Sequence, residues 1–148
     1  MKYLCLVYQE EATVDALPED EYTAIVDDVL DYREELRQRG HYVVSSPLQS
    51  VATATTIRVR NGKVSITDGP FAETREQLGG FYLIDARDLN DAIRVASRMP
   101  PARLGCVEVR PLKDLDPGDP SAVRQGGDRA PKPDISPEQP TTTNRHAP

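Results

Sequence analysis

Apolar residues follow two different spacings along the first part of the chain. Residues 2–8, KYLCLVY, form a compact β-type run. After Pro18, apolar side chains recur at the spacing of one helix face, and Gly40 supplies a stop signal. Acidic residues begin this segment and arginines lie near its end, which suits the helix dipole. We therefore predict a strand and then a long helix with an inner face of Tyr22, Ile25, Val26, Val29, Leu30 and Leu36.

A hairpin follows over the stretch TTIRVRNGKVSIT, where two alternating runs flank Asn61-Gly62. This pair is preferred in a two-residue type I′ turn. With that turn, the isoleucines and valines of both runs share one side and the charged residues share the other. Because side chains alternate along a strand, Asp68 falls on the apolar side. A carboxylate on a buried side needs a hydrogen bond, an ion pair or a proton.

The remaining periodicity predicts three more strands and a second helix. HYVVSSPL is typical of a short strand broken by Pro47, and GGFYLIDA and GCVEVRPL are typical of longer strands. Between the last two, Asp88 begins a helix that two prolines end. We predict that its inner face is formed by Leu89, Ala92, Ile93, Ala96 and Met99.

The element order is β-α-β, an inserted hairpin and then β-α-β. Two right-handed split βαβ units give a ferredoxin-like α+β fold, an antiparallel sheet with both helices on one face. The first and last strands are then neighbours, which brings Cys5 and Cys106 near each other across the sheet, and we expect both to be buried free thiols. A two-stranded hairpin cannot easily cover the second face of the sheet alone, so we predict a homodimer.

Composition sets a domain boundary. After Leu115 the chain holds seven of its 13 prolines and almost no large apolar residues. Such a segment buries too little surface to offset its ordering entropy. We predict one domain over residues 1–115 and a disordered proline-rich tail over 116–148, which is either a solvated tail or the carrier of a partner-binding motif.

Charge and motifs exclude several classes of function. The net charge of −6 and the pI near 4.9 argue against a phosphate-binding role, and no basic face for nucleic acid is visible. No window approaches the length of a membrane span, and the N-terminus has no signal-peptide cleavage site, so we expect a cytoplasmic protein. The chain shows no glycine-rich phosphate loop, no serine–histidine–acid arrangement and no metal-ligand spacing, so we predict neither a cofactor nor a metal.

The candidate chemistry centres on the segment TDGPFAETREQ. Asp68 is either a general base or an Asx-type turn residue that bonds backbone amides with the help of Thr74. Arg75 either pairs with Asp68, holds an anionic ligand or makes a surface ion pair. Either Phe81 or Tyr82 belongs to the core, and Tyr82 is the candidate cleft hydroxyl. His41 is more typical of a favourable charge at a helix end than of a catalyst.

The stretches DGPFAET, GGFYLID, DLNDAIRVA and GCVEVRP closely resemble the DGPF branch of the YCII-related proteins, over roughly residues 1–113. The resemblance implies a dimeric α+β barrel with a cleft between sheet and hairpin. The expected ligand-binding residues there are Pro70, Phe71, Thr74, Arg75 and Tyr82. Some relatives in the wider family use a histidine–aspartate pair, but neither position is matched here, so only Asp68 remains as a catalytic candidate.

Three hypotheses for function follow. The first is a homodimer that binds a small molecule, either as a binding protein or as a cofactor-independent enzyme. The second is a non-catalytic regulatory partner of a sigma factor of the extracytoplasmic-function type, since bacterial members that resemble this chain often accompany such factors. The third is a structural dimer module. A deep cleft beside Asp68 favours the first, and a shallow cleft with an exposed apolar or acidic face favours the second.

Overall fold

The computed structural model describes residues 1–113, and the boundary at residue 115 and the tail over 116–148 lie outside them. Two single-turn 3₁₀ helices span Val51–Thr53 and Pro100–Arg103. The strands and α-helices are, in chain order, β1 (Lys2–Gln9), α1 (Glu11–Asp15), α2 (Glu19–Gln38), β2 (Tyr42–Pro47), β3 (Thr55–Arg60), β4 (Lys63–Asp68), β5 (Gln77–Asp85), α3 (Leu89–Ala96) and β6 (Gly105–Pro111).

Four strands form one antiparallel sheet in the order β2-β5-β1-β6, while β3 and β4 form a separate hairpin. Each βαβ unit places its two strands on either side of a third strand, which is the ferredoxin-like arrangement predicted from the element order. The predicted α+β fold and the neighbouring first and last strands are confirmed. The five-residue helix α1 was not predicted, since its segment lacks a helical apolar pattern.

The core lies between one face of the sheet and the helices α2 and α3. Alternate residues of β1 and β5 supply the sheet side, and Tyr32 and Leu36 supply the α2 side. The hydroxyl of Tyr32 donates a hydrogen bond of 2.7 Å to the carbonyl of Val95, which ties the two helices together. The buried sheet residues are Tyr3, Cys5, Val7, Tyr82 and Ile84.

Both predicted helix faces need correction. Of the six residues assigned to the inner face of α2, only Leu36 is buried, while Tyr22, Val26 and Leu30 are exposed by 37–50%. The buried side chains of α2 all lie in its C-terminal half, and Ile25 and Val29 are only half-buried. In α3, Leu89 and Ile93 are each 49% exposed, because the helix packs through its small residues Ala92 and Ala96 together with Val95.

The two cysteines lie on opposite faces of the sheet. Cys5 pairs with Val109 and is fully buried on the helix side, whereas Cys106 pairs with Tyr8 and is exposed. The predicted burial of Cys106 is therefore wrong. The run GCVEV alternates, and an odd number of steps separates Cys106 from the buried-side position 109. Burial raises the pKa of the Cys5 thiol to about 11, so it stays protonated.

The second face of the sheet carries apolar side chains that α2 and α3 do not cover. These residues are the outward partners in the same strand alternation that builds the core. They are only partly buried within residues 1–113. The row comprises Leu4, Leu6, Tyr8, Phe81 and Leu83.

Candidate functional site

The hairpin has the predicted register. Val59 pairs with Val64, Ile57 with Ile66 and Thr55 with Asp68. Asn61 and Gly62 have φ values of 51° and 74°, as a type I′ turn requires. The predicted placement of Asp68 on the same side of the hairpin as the apolar residues is therefore confirmed.

No element of the described chain covers that apolar side. The four side chains Ile57, Val59, Val64 and Ile66 are 51–67% exposed. Asp68 is exposed too, and within residues 1–113 its carboxylate has no hydrogen bond or ion pair. Thr74, the expected support for an Asx-type turn, instead donates its hydroxyl hydrogen to the carbonyl of Glu76 at 2.5 Å.

Directly after Asp68, the chain forms the wall of a cavity of about 600 Å³. Pro70, Phe71 and Thr74 contribute to this wall, together with Tyr8 of β1 and Leu48 after β2. None of the lining residues carries a formal charge. The full lining is Tyr8, Leu48, Gln49, Ser50, Val51, Thr53, Ala54, Pro70, Phe71, Ala72, Thr74, Gln77 and Leu78. We call this the DGPF cavity.

Two side chains, those of Glu11 and Gln77, hold the loops that line the DGPF cavity. The Glu11 carboxylate accepts hydrogen bonds from the Ser50 hydroxyl and the Val51 amide, each 2.8 Å long. The amide side chain of Gln77 accepts a 3.1 Å bond from the backbone N–H of Glu11 and donates a 3.0 Å bond to the carbonyl of Thr74. The loop walls are thus held by polar contacts from α1 and β5.

The hairpin joins this frame through backbone bonds. The N–H of Gly69 donates to the carbonyl of Ala54 at 2.7 Å, which extends the strand ladder by one step. Gly69 has a φ of 106°, a backbone conformation that residues with a side chain rarely adopt. At this residue the chain turns from the hairpin into the cavity wall. The hydroxyl of Thr56 donates to the Gly69 carbonyl at 2.8 Å.

Two of the expected ligand-binding residues lie elsewhere. Arg75 is 85% exposed and pairs with Glu10 at 3.4 Å, as in a surface ion pair, and it lines a neighbouring depression rather than the DGPF cavity. Tyr82 lies in the core on the helix side of the sheet, 5% exposed, and burial raises the pKa of its hydroxyl. Its neighbour Phe81 takes the other face, which resolves the alternation that the sequence left open.

The other ten lining residues were not anticipated, and Tyr8, Leu48 and Gln77 are among them. The signal for Tyr8 was present, since an odd number of steps separates it from Cys5 and so places it on the uncovered face. No local pattern indicates Leu48 or Gln77, because their positions depend on how two loops meet. His41 does not line this cavity, and its Nδ1 lies 2.8 Å from the carbonyl oxygen of Asp85.

Within residues 1–113, no group of three or more histidine, cysteine, aspartate or glutamate side chains is placed to hold a metal ion. In the same part of the chain, no helix combines the length and apolar character that crossing a bilayer demands.

This chain is thus an α+β protein with an antiparallel sheet. Its cavity lies between the uncovered face of the sheet and the loop that follows the hairpin. The chain belongs to the YCII-related domain family, which matches residues 1–116. A relative from Rhizobium meliloti (strain 1021), an uncharacterized protein, is 35% identical over 121 residues, which cover 80% of this chain and 98% of the relative. Among solved structures, 5-chloro-2-hydroxyhydroquinone dehydrochlorinase from Burkholderia phenoliruptrix, in complex with 2,5-dihydroxybenzoquinone, is similar at 17% identity and a TM-score of 0.43. That match covers 76% of this chain and 94% of the enzyme.

Proposed function

We propose that this protein is a homodimer of the DGPF branch that binds a small molecule in the DGPF cavity. The observation that carries the proposal is the cavity of about 600 Å³, which the motif residues Pro70 and Phe71 line. This volume lies within the range of small-molecule sites, and a mainly apolar wall with a few polar groups is the usual composition of such sites.

The lining also indicates the class of ligand. Phe71 and Tyr8 supply two aromatic rings, and Tyr8, Thr74 and Gln77 supply hydroxyl and amide groups. With no charged side chain in the wall, an anionic ligand would lose its hydration without gaining a counter-ion. A neutral, compact aromatic molecule that can form hydrogen bonds is therefore the favoured occupant.

Benzamide and benzoate test this class, since they have nearly the same shape and differ in charge. We expect millimolar benzamide to raise the melting temperature of the full chain and benzoate to raise it less, because a ligand that binds the native state stabilises it by mass action. Phe71→Ala and Tyr8→Phe should reduce the benzamide shift. Tyr22→Phe, which changes an exposed tyrosine outside the cavity, is the matched control. Equal shifts in all four proteins would contradict binding in the cavity.

Two uncovered apolar surfaces support the homodimer. Within the described chain, the hairpin row of Ile57, Val59, Val64 and Ile66 is exposed, and the outer face of the sheet is only partly buried. Stable monomers rarely expose contiguous apolar patches larger than a few hundred Å². A second copy that packs on the outer sheet face would give the dimeric α+β barrel that the sequence predicts.

Sedimentation of the full chain tests the homodimer. We expect a dimer at micromolar concentration, and we expect Ile66→Asp to shift the population toward monomer, because it buries a charge in the contact. Ser65→Asp adds the same charge on the other side of the same strand and should leave the dimer intact. A wild-type chain that sediments as a monomer would contradict the homodimer and leave the cavity proposal standing.

We further propose that Asp68 is the acid–base group if this protein is a cofactor-independent enzyme. Its carboxylate shares the apolar side of the hairpin, which a second copy would cover, and it lies two residues before the cavity wall. Asp68→Asn should change the benzamide shift while the melting temperature stays within about 3 °C of wild type, as for an exposed substitution. Asp27→Asn, on the exposed part of α2, is the control. A large loss of melting temperature with unchanged ligand binding would make the residue structural.

One observation favours the alternative of a regulatory partner. The part of α2 from Glu19 to Leu30 exposes Tyr22, Val26 and Leu30 at helical spacing, beside acidic residues. An amphipathic helix face of this kind suits docking to a basic, partly apolar partner such as a sigma factor. Val26→Asp/Leu30→Asp should abolish binding to such a factor and leave the benzamide shift unchanged, which separates the two functions.

A further inference from the structure

A second cleft lies at the other end of β5 from the DGPF cavity. It has a volume of about 510 Å³ and forms where α2 turns through Gly40 into β2 and where β5 turns into α3. The two connections are joined by a 2.8 Å bond from the N–H of Asp85 to the carbonyl of His41. We call it the arginine cleft, after its lining residues Arg39, Arg87 and Arg94, which lie beside His41 and Asp91.

A buried carboxylate organises the arginine cleft. The side chain of Asp91 is 1% exposed, and its oxygens accept hydrogen bonds from the backbone N–H of Arg87 at 3.1 Å, from the Arg87 Nε at 3.2 Å and from a terminal nitrogen of Arg94. These contacts, the Arg87 backbone N–H first, hold the pKa of Asp91 at about 2. One ionised group thus anchors two guanidinium groups from positions four residues before it and three residues after it.

The anchored guanidinium groups keep most of their donors for a ligand. Arg87 is 76% exposed and Arg94 is 64% exposed, and each uses one nitrogen on Asp91. Arg39 is 59% exposed and pairs with Glu35, which also binds Arg98. The other acid in the lining, Asp85, is occupied by the amino group of Met1 at 2.8 Å. Each of the three arginines in the lining therefore shares its acidic partner with another arginine, and Asp85 is already paired with the N-terminus.

His41 adds an oriented polar atom. Its Nδ1 lies 2.8 Å from the carbonyl oxygen of Asp85, and a carbonyl can only accept, so Nδ1 carries the hydrogen. This bond fixes the ring and leaves Nε2 as the nitrogen that a ligand in the cleft can reach.

We propose that the arginine cleft binds a phosphate-type oxyanion, either inorganic phosphate or a small phosphate monoester. A tetrahedral dianion offers several acceptor oxygens at once and therefore suits guanidinium groups that approach from different positions. The overall charge of −6 argues against phosphate binding, but it acts weakly here. Charges separated by more than about 8 Å are largely screened at physiological ionic strength, so the local arginines dominate. The proposal is independent of the DGPF cavity.

Inorganic phosphate is the probe for the test. Amide spectra of the full chain are recorded while sodium phosphate replaces sodium chloride at constant ionic strength. We expect saturable shifts confined to residues 39–41 and 85–94, with a dissociation constant of about 1 mM. Phenyl phosphate in a second titration distinguishes a monoester site from a site for free phosphate, and acetate, a monoanion, should give no saturable shift. Absence of saturation with both phosphates, or equal saturation with acetate, would overturn the proposal.

Arginine variants test whether phosphate binds in the arginine cleft. Arg87→Gln/Arg94→Gln should weaken phosphate binding by about tenfold, equal to about 1.4 kcal/mol. That variant leaves Asp91 without its guanidinium partners, so Arg39→Gln, which leaves Asp91 paired, is the second variant and should weaken binding about threefold. Arg58→Gln removes an arginine from the hairpin and is the matched control. Wild-type affinity in both cleft variants, or a loss in the control equal to theirs, would show that phosphate binds elsewhere.

Discussion

The four-stranded sheet and the two-stranded hairpin follow the same alternation and reach opposite burial. In the sheet, Ile84 faces the helices and is fully buried, whereas in the hairpin, Ile66 is 67% exposed on an equally apolar side. Both are isoleucines in regular antiparallel pairs. Alternation therefore determines which residues share a side, while a separate element must supply the cover. For the sheet that element is a pair of helices of the same chain, and for the hairpin we propose a second copy.

The largest expected effect comes from shortening these two isoleucines. Ile84→Ala should lower the free energy of unfolding by about 2–5 kcal/mol, the usual cost of removing a buried aliphatic side chain, including the cavity left behind. Ile66→Ala should cost less than about 1 kcal/mol at low protein concentration, because the side chain loses little buried area. Urea unfolding of both variants measures the difference.

Repeating the measurements on these two variants at several protein concentrations tests whether a second copy covers the hairpin. If a second copy covers the hairpin, the cost of Ile66→Ala should rise with concentration, while the cost of Ile84→Ala relative to wild type should not. A cost of Ile66→Ala that is as large as that of Ile84→Ala and independent of concentration would mean that the hairpin is covered within its own chain.

Replacing a glycine by alanine in the sheet and in the hairpin compares how closely the backbone is packed in the two regions. A Cβ at Gly105 in β6 would lie 2.0 Å from the carbonyl oxygen of Tyr8, so Gly105→Ala must push β6 away from β1. We expect a loss of up to about 3 kcal/mol in the free energy of unfolding. At Gly62 a Cβ would meet nothing within 4 Å, and only the left-handed φ resists it, so Gly62→Ala should cost about 1–2 kcal/mol. Equal midpoints of urea unfolding for the two variants would contradict the close approach.

These regions also show what the sequence could predict. The fold was predictable because strand and helix spacings appear in an order that few topologies satisfy. The register of the hairpin was predictable because Asn61-Gly62 selects one turn and burial selects one side. The buried faces of the helices were less predictable than the fold and the hairpin register. An apolar stripe on α2 indicates a face but not where the sheet ends, so the pattern does not show that Leu30 is exposed and Tyr32 is buried.

The candidate site was predictable in part. Pro70, Phe71 and Thr74 do line one cavity, because they follow directly after the hairpin. Leu48 and Gln77 were not predictable, since they reach the cavity through long-range loop contacts that leave no local pattern. Asp91 is another such case. It falls among polar residues at the start of a helix, and only the folded chain shows that its carboxylate is 1% exposed between two arginines.

A smaller and pH-dependent effect is expected at Asp91. Its pKa in the native state is lowered from 3.8 to about 2, chiefly by the backbone N–H of Arg87. A lowered native pKa means that the ionised carboxylate stabilises the fold above about pH 4, and that this contribution is lost as the pH falls from about 4 to about 2.

The test compares wild type with Asp91→Asn by urea unfolding across pH 7 to pH 2. We expect the gap in stability to be widest at neutral pH and to narrow between about pH 4 and pH 2, because the wild type alone loses its carboxylate there. Asp27→Asn, on the exposed face of α2, should track the wild type throughout. A gap that stays constant down to pH 2 would mean that Asp91 acts through packing and not through charge.

The smallest perturbation uses the two native cysteines to compare the two faces of the sheet, since it removes no side chain. At pH 8 a thiol reagent should modify Cys106 rapidly and leave Cys5 unmodified, because Cys5 is fully buried and its pKa is raised to about 11. Cys106→Ser should abolish the rapid reaction, and denaturant should expose Cys5. If a second copy covers the outer face, modification of Cys106 should slow as protein concentration rises through the dissociation constant of the dimer. Rapid modification of Cys5 in the native protein would contradict the separation of the two faces, on which both the buried core and the uncovered row depend.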